Sequence, residues 1–348
     1  KLYIITDNST DNKVVIRFYK PDLDLSLNKH QEIQKIFCEE LKYGPKILNF
    51  LENGQIESYM IGRQLDRIKD LNDAKIYKNI ARMIANVHGY DVNKNIINKE
   101  DHNAFNLWMQ SIIDKSKKKV KTNDDNQFDW LISFMKDKGY DNVSSFIDSE
   151  WKWILKALKD SNKEICYYVG NNEDNNIPFM NSNDMVFIHG DPNPRNWFLM
   201  QNEDGISELK LIDYEFTCFS YRIWDFGFYF CEMAIDATNP PKFSLNFDTE
   251  FPSIKYQNEF IKEYLTESLN IYLKQNNSNK ISVKPSDTLN ISSKSINDFR
   301  SSVNIGIIWV DFLVSIFFGI YFYNNGPEWF KEYFKQRINI YFKHKKNL

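Results

Sequence analysis

His189-Gly190-Asp191 follows a short apolar run, residues 185–188, and Asn196 lies five residues after Asp191. Two more apolar runs, 197–200 and 209–212, flank a polar turn at 202–205, and the second ends on Asp213. Two acids, 22 residues apart, therefore each follow a strand-like run, and a hairpin brings the chain back between them. Phosphoryl transfer asks for such a set. One carboxylate orients the attacking hydroxyl and accepts its proton, while other oxygens hold Mg²⁺ against the phosphates of ATP. Mg²⁺ takes carboxylate and amide oxygens and keeps several waters. On this reading Asp191 is the base, and Asn196 and Asp213 are the metal ligands. Each piece alone is an ordinary turn or strand end. The specificity comes from H-x-D-x-x-x-x-N, hairpin and Asp occurring in order and in strand context.

The elements that must position these groups fall into two unlike parts. Residues 2–6 and 14–19 read as strands joined by a polar turn. Residues 29–43 read as an amphipathic helix with Ile33, Ile36, Phe37 and Leu41 on one side, stopped by Gly44-Pro45. Residues 47–51 and 55–61 then read as a hairpin around Asn53-Gly54. This β-rich unit, 1–62, is expected to be an N-terminal ATP-binding lobe. Its second strand, VVIRFY, looks like the kinase strand that carries a phosphate-contacting cation, and Arg17 sits in that place. Glu32, on the following helix, is the expected partner of Arg17, an ion pair that would aim guanidinium donors at phosphate. Residues 57–63 read as a hinge in which the backbone of Ser58 and Met60 meets adenine. The remainder, 63–348, reads as a helical catalytic and substrate-binding lobe. Its helices are expected at 74–88, 103–119, 125–137, 144–159, 226–237, 253–274, 297–323 and 327–345, with polar loops at 171–183 and 275–294.

Composition limits the alternatives. The 348 residues carry 44 Lys+Arg and 47 Asp+Glu, a net charge of −3, which argues against a nucleic-acid binder. With 42% hydrophobic and 16% aromatic residues, the chain can bury a sizeable core. None of the four cysteines forms a CxxC or CxxH pair, so zinc and thiol-redox sites are poor readings and a reducing, cytoplasmic setting fits. Residues 305–323 approach the roughly 20 apolar residues of a membrane span. Their one charge, Asp311, would cost about 2.5–3.5 kcal/mol at mid-span. A helix buried in the large lobe, with its acid facing protein or a cavity, is the preferred reading. Residue 1 already reads as strand, so the true N-terminus is expected upstream of it.

The stretch IDYEFTCFSYRIWDFGFYFCE, 212–232, carries a resemblance. Its Asp213, Tyr214, Glu215, Tyr221, Arg222, Asp225, Gly227, Cys231 and Glu232, with the RFY strand, Gly44-Pro45-Lys46, His88-Gly89 and the tail RINIYFKHKK, are similar to the choline/ethanolamine kinase family. Most of the chain takes part. The resemblance implies an α+β, protein-kinase-like, two-lobed fold. It also implies ATP and Mg²⁺ as cofactors, a small amino alcohol as substrate and a homodimer as the expected assembly, with no nucleic acid and no transmembrane span. It gives Asp191 the role of base and Asn196 and Asp213 that of magnesium ligands. Glu232 would supply negative charge to the substrate's ammonium group, and Tyr333 and Phe216 would form part of an aromatic cage.

The sequence also departs from the family. Two tryptophans one helical turn apart are usual before the tail, and here Asp311 and Val314 occupy those places, with Trp309 nearby. Asp311 is accordingly expected at the substrate, favouring ethanolamine or strengthening cation binding. Asn193 stands where the choline branch has Gln. An aminoglycoside kinase is disfavoured by the 212–232 block. A non-catalytic pseudokinase is disfavoured by the presence of Asp191, Asn196 and Asp213, and a protein kinase by DYE in place of DFG.

Overall fold

The computed structural model describes residues 2–7, 9, 12–18, 27–92, 104–122, 128–170, 176–201, 207–239, 242–276, 289–321 and 329–348. β1 (Leu2–Thr6) and β2 (Lys13–Phe18) pair antiparallel. The helix α1 (Leu27–Lys35) runs on into a π-helical turn, Ile36–Glu40, that buries Ile36, Phe37 and Cys38. It therefore stops short of the expected residue 43. β3 (Ile47–Leu51) and β4 (Gly54–Ser58) complete a sheet of order β1-β2-β4-β3, and the turn between them falls at Glu52-Asn53. Phe37 is the anchor of this region on the rest of the chain. Its ring stacks on Tyr214 at 4.2 Å and meets the His189 ring edge-on at 5.7 Å. The chain leaves the sheet after Ser58, and β5 (Gly62–Gln64) joins the hairpin that follows Asn196.

The remainder is mainly helical. α2 (Ala74–His88) is capped by the Asp73 side chain, and α3 (Ala104–Lys121), α4 (Asp129–Asp137) and α5 (Val143–Asp160) follow. β6 (Glu164–Val169) and β7 (Ile177–Asn181) pair, so part of the expected loop 171–183 is strand. β8 (Met185–Ile188), β9 (Trp197–Gln201), β10 (Ser207–Leu211) and β11 (Cys218–Tyr221) carry the candidate catalytic residues between them. α6 (Ile223–Met233) ends earlier than the expected residue 237, and β12 (Ile235–Asn239) with β13 (Lys242–Leu245) forms a hairpin there. α7 (Ile254–Asn276) comes next, then β14 (Leu289–Ile291), which pairs with β6 inside the expected loop 275–294.

α8 (Ser293–Ile316) begins at the cap Ser292 and continues as a π-helical turn to Tyr321, and α9 (Trp329–Lys346) packs against it. Gly227 of α6 and Gly306 of α8 let the two helices touch. A Cβ on Gly227 would lie 2.4 Å from the Gly306 carbonyl. Ser293–Tyr321 is long and apolar enough to cross a membrane by length and composition, yet 83% of its apolar window is buried, with α5, α6, α7 and α9 around α8.

Candidate active site

The loop between β8 and β9 is fixed from below by one carboxylate. Asp225, fully buried in the first turn of α6, accepts the backbone N–H of His189 on Oδ2 and that of Gly190 on Oδ1, both at 2.9 Å. His88 Nε2 lies 3.2 Å from the same Oδ2, and its Nδ1 lies 2.9 Å from the Tyr264 hydroxyl. Burial holds the His88 imidazole below its usual pKa, so it is neutral, with its proton on Nε2 towards Asp225. Gly190 has φ +86°, and a Cβ there would lie 2.2 Å from the Phe216 carbonyl oxygen, so only glycine fits. The Trp224 indole donates to the Gly190 carbonyl at 2.8 Å, and the Thr217 hydroxyl to the His189 carbonyl at 3.1 Å.

On this scaffold the three predicted residues meet. Asn196 Nδ2 donates to the Asp191 carbonyl at 2.9 Å and to Asp191 Oδ2 at 3.2 Å. Asn193 Nδ2 donates to Asp191 Oδ1 at 2.6 Å. The Ile212 N–H donates to the Asn196 carbonyl at 2.9 Å, which ties the residue before Asp213 to this cluster. Burial, with Glu232 and Asp213 nearby, pushes the Asp191 carboxyl up to about 8 against the hydrogen bond from Asn193. Asp213 has φ +70°, a left-handed backbone unusual outside glycine. Among the described residues its carboxylate has no hydrogen-bond donor, and Asn196 Oδ1 is likewise unused. The Asp213 carboxylate and Asn196 Oδ1, beside a hydrogen-bonded Asp191, are a donor set that fits Mg²⁺, which needs few protein ligands.

Asp191 lines a cavity of about 180 Å³. The cavity's other polar walls are Asn193, Arg195 and Glu232. Trp108, Phe216, Phe317, Phe318 and Tyr333 supply aromatic faces to it. Trp108 lies 5.8 Å from Phe216 and 5.9 Å from Phe317, and Phe318 meets Tyr333 edge-on at 5.9 Å. Phe216, Tyr333 and Glu232 thus share one wall set with Asp191, and Val314 joins them. The expectation for Asp311 needs correcting. It does not line the cavity but is wholly buried behind it, paired with Arg337 at 2.8 Å and with His344 Nδ1 at 2.8 Å.

The N-terminal residues are placed as follows. Arg17 Nε donates to Glu57 Oε1 at 2.9 Å, so the carboxylate on that nitrogen comes from the neighbouring strand β4 and not from Glu32. Glu32 is half-buried in α1. The Ser58 N–H already donates to the Lys46 carbonyl at 2.8 Å. Met60 follows in the short link to β5, and its N–H has no acceptor among the described residues. Tyr19 of the RFY strand, the 202–205 turn and most of 275–294 lie outside the described residues.

Reading the sequence for site residues missed Arg195, Arg337, Trp108 and the positioning role of Asp225. Its place in the 212–232 block carried a signal for Asp225. Arg195 stands inside the same loop, between Asp191 and Asn196, where its position was itself a signal; nothing local marked Trp108 and Arg337, which reach the site from elements distant in sequence.

A β-rich N-terminal region pinned to a mainly helical one, with the 189–196 loop and the hairpin that leads to Asp213 beside their contact, defines a protein-kinase-like fold. The family model for Choline/ethanolamine kinase matches residues 1–342, and the chain belongs to that family. A Cryptosporidium parvum choline kinase superposes with a TM-score of 0.64 at 18% identity, covering 100% of this chain and 86% of that one. A Plasmodium vivax ethanolamine kinase superposes at 0.66 with 19% identity, covering 98% and 78%. In sequence, an Arabidopsis thaliana probable ethanolamine kinase is 26% identical over 269 residues, 76% of this chain and 59% of that protein. A human Choline/ethanolamine kinase is 33% identical over 85 residues, 24% of this chain and 22% of the relative. The matched stretches thus span less than two thirds of these two relatives' own lengths.

Proposed function

We propose that the protein transfers the γ-phosphoryl group of ATP to the hydroxyl of choline, making phosphocholine for phosphatidylcholine synthesis. The observation that carries this is the placement of Asp191 in the wall of an aromatic-lined cavity that also holds Glu232. A trimethylammonium head has no N–H to donate, so it is held by ring faces and by a nearby carboxylate rather than by hydrogen bonds. Asp191 orients the choline hydroxyl and accepts its proton as the phosphoryl group moves in line. Asn193 and Asn196 fix the two Asp191 oxygens, so the base enters the reaction in one orientation. Asp213 Oδ and Asn196 Oδ1 would hold Mg²⁺, which when bound supplies positive charge to the ATP phosphates. Arg17 would add guanidinium donors to the same phosphates, and the Ser58 carbonyl and Met60 N–H would read adenine.

Ethanolamine is the alternative substrate. The sequence argument for it rested on an acid at the position of Asp311, and that acid lies outside the cavity. A coupled ADP-release assay with choline, ethanolamine and kanamycin tests the reading. We expect kcat/KM for choline to exceed that for ethanolamine by about tenfold or more, a difference of about 1.4 kcal/mol in transition-state binding. A preference for ethanolamine, or turnover of neither amino alcohol, would overturn it.

A further inference from the structure

Glu232, the carboxylate that lines the cavity, has a guanidinium on each oxygen. Arg337 Nη1 lies 3.4 Å from Oε1, and Arg195 Nη2 lies 3.4 Å from Oε2. Two cations against one carboxylate would leave that wall positive and hostile to an ammonium group. Behind the wall, Asp311 offsets one of the two cations. Its carboxylate lies 2.8 Å from Arg337 Nε, closer than Glu232 comes to the same guanidinium, and neither side chain of that pair meets solvent. Its other oxygen lies 2.8 Å from His344 Nδ1, and Cys231 Sγ approaches at 3.5 Å. The Tyr333 hydroxyl, on a ring that lines the cavity, is 3.2 Å from Arg337 Nη1. Arg337 therefore has two carboxylates within reach, one at the cavity and one behind it.

We propose that Asp311 is a positioning residue that neutralises and holds Arg337 so that the charge of Glu232 stays available to the cationic head of the substrate. The cavity's preference for a cation then depends on a carboxylate that never touches the substrate. The proposal rests on the reading of the site as one for an amino alcohol. Without Asp311, the full charge of Arg337 turns to Glu232 and faces the cavity. In an interior of effective dielectric near 20, one uncompensated charge about 6 Å away weakens cation binding by about tenfold or more.

The test compares choline with its neutral isostere 3,3-dimethyl-1-butanol, which has the same shape and no charge. For Asp311→Asn, at saturating ATP, the choline KM should rise about tenfold or more while kcat stays within about threefold. The inhibition constant of 3,3-dimethyl-1-butanol against choline should move by about twofold at most. Restoring neutrality in Asp311→Asn/Arg337→Gln should bring the ratio of choline to isostere affinity back to within about threefold of the unaltered protein. Equal loss of both affinities, or an unchanged choline KM, overturns the proposal, because Asp311 then serves only packing or nothing. If the single variant does not fold in thermal melts, the double variant carries the test, and a double variant that also fails to fold overturns it. An unaltered protein that does not turn over choline sinks the functional reading. An active protein with an indifferent Asp311→Asn sinks this inference alone.

Discussion

The Asp225 carboxylate accepts the backbone N–H of Gly190 at 2.9 Å, and with its other oxygen it takes the N–H of His189 at the same distance. Asp191, the proposed base, thus sits one residue beyond a peptide clamped by a buried anion. Asp225→Asn would turn an amide N–H₂ towards one of these N–H donors, leaving that donor buried without a partner. The expected result is a loss of about 3 kcal/mol in stability. A fall in kcat of about 100-fold should accompany it, because a small displacement of the base spoils its alignment. Denaturant midpoints and steady-state ADP release measure the two effects. Unaltered kcat in a folded variant would show that the clamp does not position Asp191.

Asp191 is costly to the fold for the same reason that it suits catalysis. Its carboxyl titrates near 4 in an unfolded chain, and burial beside Glu232 and Asp213 raises it to about 8 in the folded protein. Between those values the folded state holds the proton more tightly, so stability from this group falls as pH rises from about 4 towards 8. Asp191→Asn cannot ionise and escapes that loss. Without nucleotide or metal, the variant should be more stable than the unaltered protein at pH 8, by on the order of 2 kcal/mol after allowing for partial solvent screening. The gap should close as pH falls towards 4. Phosphocholine formation should vanish at every pH. Melting curves across pH 4–8 decide the first point, and a variant less stable at pH 8 than at pH 5 relative to the unaltered protein would contradict it.

The grouping of the 189–213 residues was legible in the sequence because phosphoryl transfer demands particular residue types at short chain distances. Asp191, Asn196 and Asp213 lie within one loop and one hairpin, and hydrogen bonds from Asn196 and Ile212 close that unit locally. The position of Asp311 was not legible. Residues Ile305 to Ile316 of α8 are buried on every side, so periodicity says that Asp311 is inside but not which way it points. Its partner Arg337 is set by the crossing of α8 and α9, which no local pattern encodes. The same holds for Arg17. A helix partner and a cross-strand partner both fit its sequence, and the register of Arg17 with Gln55, which puts Glu57 one strand-face neighbour away, decided for Glu57 on that nitrogen.

The aromatic wall predicts a graded response in KM. Tyr333 faces the cavity with its ring and reaches Arg337 with its hydroxyl. Tyr333→Phe keeps the ring, whereas Tyr333→Ala removes a cation–π face worth about 1–2 kcal/mol when desolvated. The alanine variant should therefore raise the choline KM by about five- to thirtyfold, and the phenylalanine variant by much less. Phe216→Ala should resemble Tyr333→Ala. The KM for ATP should not move in any of the three. Equal KM values for Tyr333→Ala and the unaltered protein would remove Tyr333 from the cage.

Asp213 combines a strained backbone with an unused carboxylate. At φ +70° a residue other than glycine is tolerated best when it is Asn or Asp, whose short polar side chains stabilise the left-handed region. Asp213→Asn therefore keeps the backbone while removing the charge, and any loss it shows belongs to the carboxylate. If that carboxylate holds Mg²⁺, the Mg²⁺ concentration giving half-maximal activity should rise about tenfold or more, and kcat should fall with it. Thermal stability without metal should stay within about 0.5 kcal/mol, since no described donor loses a partner. Asp213→Ala should lose as much activity and, in addition, about 1 kcal/mol of stability from left-handed strain. A Mg²⁺ titration of Asp213→Asn that superposes on that of the unaltered protein would assign the metal to other oxygens and leave Asp213 as a turn residue.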